Sequence, residues 1–135
     1  MKFLLDTNIV SEPLRPAPAQ AILDKLRRHR DEIAIAAVVW HELRFGCHRL
    51  PPSAKRDAIQ RYLDQVILPS MPILPYDQRS AEWHAVERAR LAAAGKTPPF
   101  VDGQIAAVAP VNGLALVTRN MADFAHFQGL RVIDW

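Results

Sequence analysis

Short apolar runs alternate with helical patterns along this chain, and that alternation limits the folds open to it. The apolar runs that read as buried strands cover residues 3–5, 33–39, 73–74, 114–117 and 131–133. Patterns typical of helices fill the intervals, over about residues 19–30, 40–50, 53–67, 77–94 and 98–110. Strands that alternate with helices predict a parallel sheet covered by helices on both faces. We therefore expect a three-layer α/β fold with four to five parallel strands in the central sheet.

Length and composition add a few further limits. The 135 residues suffice for one domain with a hydrophobic core but not for two, so we predict a single domain over residues 1–135. No apolar stretch is long enough to span a bilayer, and Asp6 interrupts the N-terminal apolar run before it resembles a signal peptide. The single Cys47 cannot form an internal disulfide, which favours a cytoplasmic location.

The charge balance permits a nucleic-acid partner without requiring one. The net charge is +3 at pH 7, and basic side chains cluster over residues 25–30. Further basic residues, among them Arg44, Arg88 and Arg119, lie close in sequence to acidic residues. A basic rim around acidic residues would suit a polyanion, although a solvated helix face explains such a cluster as well.

Three carboxylates follow predicted strands. Asp6 ends the first strand and, with Thr7 and Asn8, is predicted to form a polar loop. Glu42 lies in the first turn of the helix predicted after the second strand, and Asp123 comes shortly after the fourth strand. The carboxyl ends of parallel strands share one edge of the sheet, so we expect these acids to lie near one another. Structural roles are the alternative, because Asp6 could cap a helix and Glu is favoured in a first helical turn.

Asp102 is the most distinctive of the acids. It precedes Ile105 and Ala106 by three and four residues, and so continues an apolar stripe that should face the core. A charge on such a face is costly unless it is paired or bound to a cation, although a helix N-terminus could also stabilise it. Carboxylates held close together stay ionised only with a cation among them. The acids therefore predict a divalent metal site with oxygen ligands, which could activate water and stabilise charge on a phosphate.

Five short segments occur in an order shared by a known family. They are residues 4–8 (LLDTN), 11–16 (SEPLRP), 41–46 (HELRFG), 102–107 (DGQIAA) and 117–124 (VTRNMADF). Together they resemble the PIN-domain ribonucleases of the VapC type, the toxin half of type II toxin–antitoxin pairs, and most of all the FitB-like branch. The resemblance implies a PIN-like fold and a Mg²⁺- or Mn²⁺-dependent endonuclease that acts on RNA. It also implies a homodimer and a small antitoxin partner that blocks the acidic site.

The same resemblance assigns roles to individual residues. Asp6, Glu42 and Asp102 correspond to the family's three principal acids. The fourth acid stands at the position of Asn120 in some members and of Asp123 in many, and we favour Asp123 with Asn120 as a neutral neighbour. All four acids are then expected to bind metal and to be catalytic. Supporting roles, which orient the acids or bind water, fall to Thr7, Asn8, Thr118 and Asn120.

The expected reaction is hydrolysis of an RNA phosphodiester by a metal-activated water. Two other enzyme classes fit less well. A phosphatase of the haloacid-dehalogenase type needs a second Asp where Asn8 stands, and a response-regulator receiver domain needs an acidic pair and a late Lys. The remaining alternative is a PIN-like module with a weakened site that binds RNA or acts as a scaffold, which only Asn120 supports.

Overall fold

The central sheet has five parallel strands, and their order places β1 in the middle. In the computed structural model, which describes residues 1–135, the strands are β1 (Phe3–Leu5), β2 (Ile33–Ala36), β3 (Ile73–Leu74), β4 (Ala115–Val117) and β5 (Val132–Ile133). The order in the sheet is β3-β2-β1-β4-β5, and every neighbouring pair is parallel. The chain therefore adds strands on both sides of β1, and a crevice forms at the carboxyl ends where such a reversal occurs.

Helices connect the strands and cover the sheet, which confirms the predicted three-layer α/β fold. They are α1 (Thr7–Val10), α2 (Gln20–Arg28), α3 (Ala37–His48), α4 (Ala54–Tyr62), α5 (Leu68–Ser70), α6 (Gln78–Ala93), α7 (Phe100–Val111) and α8 (Met121–Phe124). A 3-10 turn at Glu12–Leu14 follows α1, and a π-helical segment at Leu63–Ile67 joins α4 to α5. None of these helices combines the length and the hydropathy that crossing a membrane would need.

The core lies on both faces of the sheet. Every residue of β2 and β4 is buried, as expected for parallel strands covered by helices on each side. Helix α7 is the most deeply packed helix, because Gly103 and the whole stretch from Ile105 to Ala109 are buried. Its small side chains allow close contact with α6, and Cys47 of α3 is a buried packing residue.

The boundary between β2 and α3 differs from the prediction. The sequence predicts a strand over residues 33–39, but β2 ends at Ala36 and α3 begins at Ala37. Val38 and Val39 account for the error, because β-branched residues favour strands locally. Here Val39 is fully buried within the helix, so tertiary packing outweighs that local preference. Glu42 is consequently the sixth residue of α3, and the prediction that it lies in the first turn was wrong.

Two helices of four residues each were not predicted. Helices α1 and α8 are too short to show a helical period in the sequence. The polar residues after β1 therefore form the start of α1, where the sequence had indicated a loop. Asp6 caps this helix, because its Oδ1 accepts a hydrogen bond of 2.8 Å from the backbone N–H of Thr7.

Candidate active site

The predicted acids lie around the carboxyl-terminal edge of the sheet. Asp6 follows β1 directly, Glu42 lies in α3 after β2, and Asp123 lies in α8 after β4. Asp102 is carried by the first turn of α7, which packs against β1 and β4. Since β1 lies between β2 and β4, the topology brings the segments that carry these acids to one place.

Asp6 is fixed by hydrogen bonds to both of its oxygens. Oδ1 accepts from Thr7 N, and Oδ2 accepts from the Thr118 hydroxyl at 2.8 Å. The carboxylate is only 8% exposed, and burial raises the pKa of Asp6 above its ordinary value. The hydrogen bonds from Thr118 and Thr7 oppose that rise in pKa, while the charge of Asp123 adds to it. Asp6 is thus oriented before any ligand arrives.

Thr7 connects Asp6 to Glu42. Its backbone N–H binds Asp6, and its hydroxyl donates to Glu42 Oε2 at 3.2 Å. Burial raises the pKa of Glu42, the hydrogen bond from Thr7 opposes this, and the charge of Asp6 raises the pKa further. One residue of α1 therefore holds the carboxylate that follows β1 and the carboxylate on α3 in a common arrangement.

The pKa of Asp102 is raised by all three of the other acids. Its side chain is half-buried and takes part in none of the side-chain hydrogen bonds or ion pairs. Partial burial raises the pKa of Asp102, and the charges of Asp123, Asp6 and Glu42 each raise it further. Asp123 itself is exposed on α8. The four carboxylates are thus close enough to interact electrostatically. Each negative charge makes ionisation of its acidic neighbours less favourable.

No lysine or arginine forms an ion pair with any of these four acids. The arginines that sequence proximity suggested as a rim are partly engaged elsewhere. Arg44 pairs with Asp64 at 2.7 Å and stacks on Trp40, and Arg119 pairs with Glu12 at 2.8 Å. None of the four acids therefore has a lysine or arginine within ion-pair distance, and the one basic side chain whose charge lowers the pKa of Glu42 is His41.

The chemistry of this edge fits a hard divalent cation. Its ligands would be carboxylate oxygens, with hydroxyl and amide oxygens nearby, which are the donors that Mg²⁺ and Mn²⁺ prefer. The mutual repulsion that raises the pKa of Asp102 is the feature of this structure that a cation would relieve. No three Asp, Glu, His or Cys side chains are grouped closely enough to hold an ion by themselves. Binding would thus require bridging waters or a movement of side chains.

The predicted supporting residues form a hydrogen-bond network behind Asp6. Thr118 is fully buried, donates to Asp6, and accepts from Asn120 N at 3.1 Å and from Asn8 Nδ2 at 3.4 Å. Asn8 Oδ1 in turn accepts from Arg119 N at 3.2 Å. The side chain of Asn120 is exposed and forms no capping hydrogen bond to α8. The turn after β4 is thereby tied to α1.

Sequence reasoning passed over Glu12 as a site residue. Its side chain is 1% exposed although it carries a charge, and it binds Arg119 from the turn beside Asp6. The only signal was an acidic residue in the segment SEPLRP, which looked like an irregular connection. The partner that explains its burial lies 107 residues away, so no local pattern could have indicated it.

An open pocket lies beside Glu42. Its volume is about 430 Å³, and it is lined by Ala37, Val38, His41, Glu42, Val101 and Gln104. The lining combines apolar side chains with polar groups that can accept or donate hydrogen bonds. A ligand seated there would be next to one of the four acids.

Known proteins are similar to this chain over nearly its whole length. The family model described as the PIN domain matches residues 3–130. The chain is similar to the toxin FitB of Neisseria gonorrhoeae, with 36% identity over 126 residues that make up 90% of this chain and 89% of that protein. It is also similar to the VapC ribonuclease Y4jK of Sinorhizobium fredii, with 31% identity over 97% of this chain and 95% of that protein.

A solved structure supports the same relationship. The crystal structure of FitAcB from Neisseria gonorrhoeae contains a chain that superposes on this one with a TM-score of 0.88 and 34% identity. The match covers 97% of this chain and 96% of that chain. With the family model, the sequence relatives and the superposed fold in agreement, this chain belongs to the PIN domain family.

Proposed function

We propose that this protein is a metal-dependent endoribonuclease that serves as the toxin of a type II toxin–antitoxin pair. The observation that carries the proposal is the group of four carboxylates at the sheet edge, which share one field and pair with no lysine or arginine. Two relatives are named as a toxin and as a ribonuclease, which supports both halves of the proposal. The substrate is RNA, and the bond broken is a phosphodiester.

PIN-domain nucleases generally use divalent metal ions, and we propose Mg²⁺ or Mn²⁺ for this protein. Asp6, Glu42, Asp102 and Asp123 would hold the ion, because they supply hard oxygen donors and an excess of negative charge. When bound, the ion would lower the pKa of a water and stabilise the charge that develops on the phosphate. Asp123 is favoured over Asn120 as the fourth ligand, because the charge of Asp123 acts on both Asp6 and Asp102.

The residues of the chain prepare the site for that chemistry. Thr7 and Thr118 hold both oxygens of Asp6, so this carboxylate loses little conformational freedom on binding. Glu42 is held at Oε2 alone, which leaves Oε1 free to accept a hydrogen bond from a water or to bind the ion. Asn8 and Asn120 complete the turn after β4, which precedes Asp123.

We further propose a small cognate antitoxin and a homodimer as partners. Large apolar side chains are exposed on the helices that carry the acids, with Phe45 of α3 at 59%, Phe100 of α7 at 49% and Met121 of α8 at 39%. Exposed apolar groups around a functional edge favour a protein partner that covers it. The alternative is a PIN-like module with a weakened site that binds RNA or acts as a scaffold.

Cleavage of a mixed RNA pool by the purified protein tests the proposal. The assay is run with Mg²⁺ or Mn²⁺, with EDTA, and with the Asp6→Asn variant. Asp24→Asn is a matched control, because Asp24 is an exposed residue of α2 that is remote in sequence from the acids. We expect cleavage that requires the metal, persists in Asp24→Asn and disappears in Asp6→Asn. No cleavage, together with no metal binding by calorimetry, would refute the nuclease and favour the weakened module.

A further inference from the structure

Glu12 is a buried carboxylate with no part in the chemistry proposed above. Its side chain is 1% exposed, Oε1 accepts from Ala19 N at 2.9 Å, and Oε2 accepts from Arg119 Nη1 at 2.8 Å. Arg15, which is 58% exposed, approaches the same oxygen at 3.5 Å. Burial of a carboxylate is costly unless its partners compensate. Arg119 is the main charged partner that compensates for the burial of Glu12.

Arg119 is placed beside the acidic edge by its backbone. The preceding residue, Thr118, donates its hydroxyl to Asp6 at 2.8 Å, and the backbone N–H of Arg119 donates to Asn8 at 3.2 Å. Helix α8, which carries Asp123, begins two residues after Arg119. A long cationic side chain therefore starts between segments that hold two of the four acids.

The acids nevertheless remain free of that cation. None of them forms an ion pair, and the guanidinium of Arg119 is turned to Glu12. We propose that Glu12 is a positioning residue that holds the Arg119 guanidinium away from the four acids and so keeps them available to a divalent cation. The consequence for catalysis rests on the proposed nuclease function, whereas the effect on cation binding depends only on the acidic edge.

The acids beside Arg119 offer its guanidinium alternative partners. Without Glu12, two of the four acids are candidate partners for Arg119, because Asp6 binds the neighbouring Thr118 hydroxyl and Asp123 follows Arg119 by four residues in α8. An arginine binds carboxylates through two parallel hydrogen bonds, and those acids have no other cation. Such a pair would occupy the oxygens that a metal needs and cancel part of the negative charge that attracts it.

Calorimetric titration with Mn²⁺ alone tests this role in the 135-residue protein. In Glu12→Gln we expect the affinity for Mn²⁺ to fall roughly tenfold, the scale of a screened unit charge placed beside the site. In Glu12→Gln/Arg119→Gln the affinity should return to within about twofold of wild type, because the competing cation is gone. If Glu12 merely supported the fold, the additional Arg119→Gln substitution would not restore the affinity for Mn²⁺.

Two controls separate this effect from the change in net charge. Glu12→Gln/Arg15→Gln restores the same net charge but leaves Arg119 in place, so it should bind Mn²⁺ as weakly as Glu12→Gln. Glu32→Gln removes an acid that pairs with Lys2 at 2.8 Å beyond the opposite end of β1, and it should bind as wild type does. Equal rescue by Arg15→Gln, or weaker binding in Glu32→Gln, would overturn the proposal in favour of a general charge effect.

Glu12→Asp guards against a variant that fails to fold. It keeps the charge but shortens the side chain, so it should weaken Mn²⁺ binding less than Glu12→Gln, and Arg119→Gln should again restore it. Unchanged affinity in either Glu12 variant, or no Mn²⁺ binding by wild type, overturns the proposed role of Glu12. If wild type binds Mn²⁺ but cleaves no RNA, the nuclease proposal fails while the titrations still decide the role of Glu12.

Discussion

Carboxylates in two regions of this molecule are in opposite electrostatic states. Glu87 of α6 is 6% exposed, accepts two hydrogen bonds of 2.9 Å from Arg90, and accepts a third from Gln128 N. The bonds from Arg90 lower the pKa of Glu87, burial opposes this, and the bond from Gln128 lowers the pKa again. At the sheet edge, burial raises the pKa of Asp102 and nearby acids raise it further.

The difference separates carboxylates that stabilise the fold from carboxylates that we propose to bind a cation. A buried acid with an arginine and a backbone donor has its charge compensated within the protein. Acids that repel one another lower stability until a cation binds among them. The two regions should therefore respond in opposite ways to the loss of a single negative charge.

The largest effect we expect is on activity, in Asp102→Asn. Replacing this carboxylate should reduce RNA cleavage by about 10³-fold or more, because an acid that we propose to hold the metal is lost. Stability should not fall, because the variant removes repulsion from three other acids and breaks no hydrogen bond. RNA cleavage rates and urea unfolding check the two halves. If Asp102→Asn were inactive because it is unfolded, the result would contradict the distinction between the sheet-edge acids and Glu87.

Asp123→Asn should have the next largest effect. We expect cleavage to fall by roughly 10- to 100-fold, because Asp123 contributes charge to the site from an exposed position. Asn120→Ala is the matched comparison and should retain activity within a fewfold of wild type, because the side chain of Asn120 contributes no charge. If Asn120→Ala reduced the cleavage rate more than Asp123→Asn, the fourth residue of the site would be Asn120 and not Asp123.

Glu87→Gln should show the converse behaviour. Loss of the charge weakens the bonds from Arg90 and Gln128, so the free energy of unfolding should fall by about 2 kcal/mol. Cleavage by the folded protein should remain within about twofold of wild type, because α6 carries none of the four acids. Urea unfolding and rates measured well below the transition test this. A strong loss of RNA cleavage by folded Glu87→Gln would contradict the assignment of Glu87 to a purely structural role.

The smallest effect is a dependence of stability on pH that has opposite signs in the two regions. The folded-state pKa of Asp102 lies above its ordinary value of 3.8, so its favourable contribution is present below that pH and lost as the pH rises through the folded-state pKa. The pKa of Glu87 lies below 4.5, so its contribution is present above that value and lost as the pH falls.

Metal-free unfolding measured from about pH 3.5 to 7 therefore distinguishes the two variants. Relative to wild type, Asp102→Asn should gain stability as the pH rises, while Glu87→Gln should lose it. Parallel curves for the two variants would mean that their carboxylates experience the same environment.

Topology explains why much of the site could be anticipated from the sequence. Alternating strands and helices predict parallel strands, and Asp6, Glu42 and Asp123 follow three of them. Convergence at one edge then follows without any knowledge of side-chain contacts. The catalytic and metal-binding roles of these acids stay predictions, which the variants above test.

Local patterns failed where distant contacts decide the structure. Val38 and Val39 favour a strand, yet packing places them in α3 and moves Glu42 into its second turn. Helices α1 and α8 have four residues each, which is too few to show a helical period in the sequence. The pairing of Glu12 with Arg119 joins residues 107 positions apart, so only the folded chain reveals it.

Mn²⁺ binding by wild type, Asp102→Asn and Glu87→Gln is the most direct test of the division between the two regions. Calorimetry at neutral pH should show binding by wild type and by Glu87→Gln with similar affinity. Asp102→Asn should bind at least about tenfold more weakly, because the acid with three charged neighbours is lost. Equal binding by Asp102→Asn and wild type, or no binding by wild type, would contradict a cation site at the edge of the sheet.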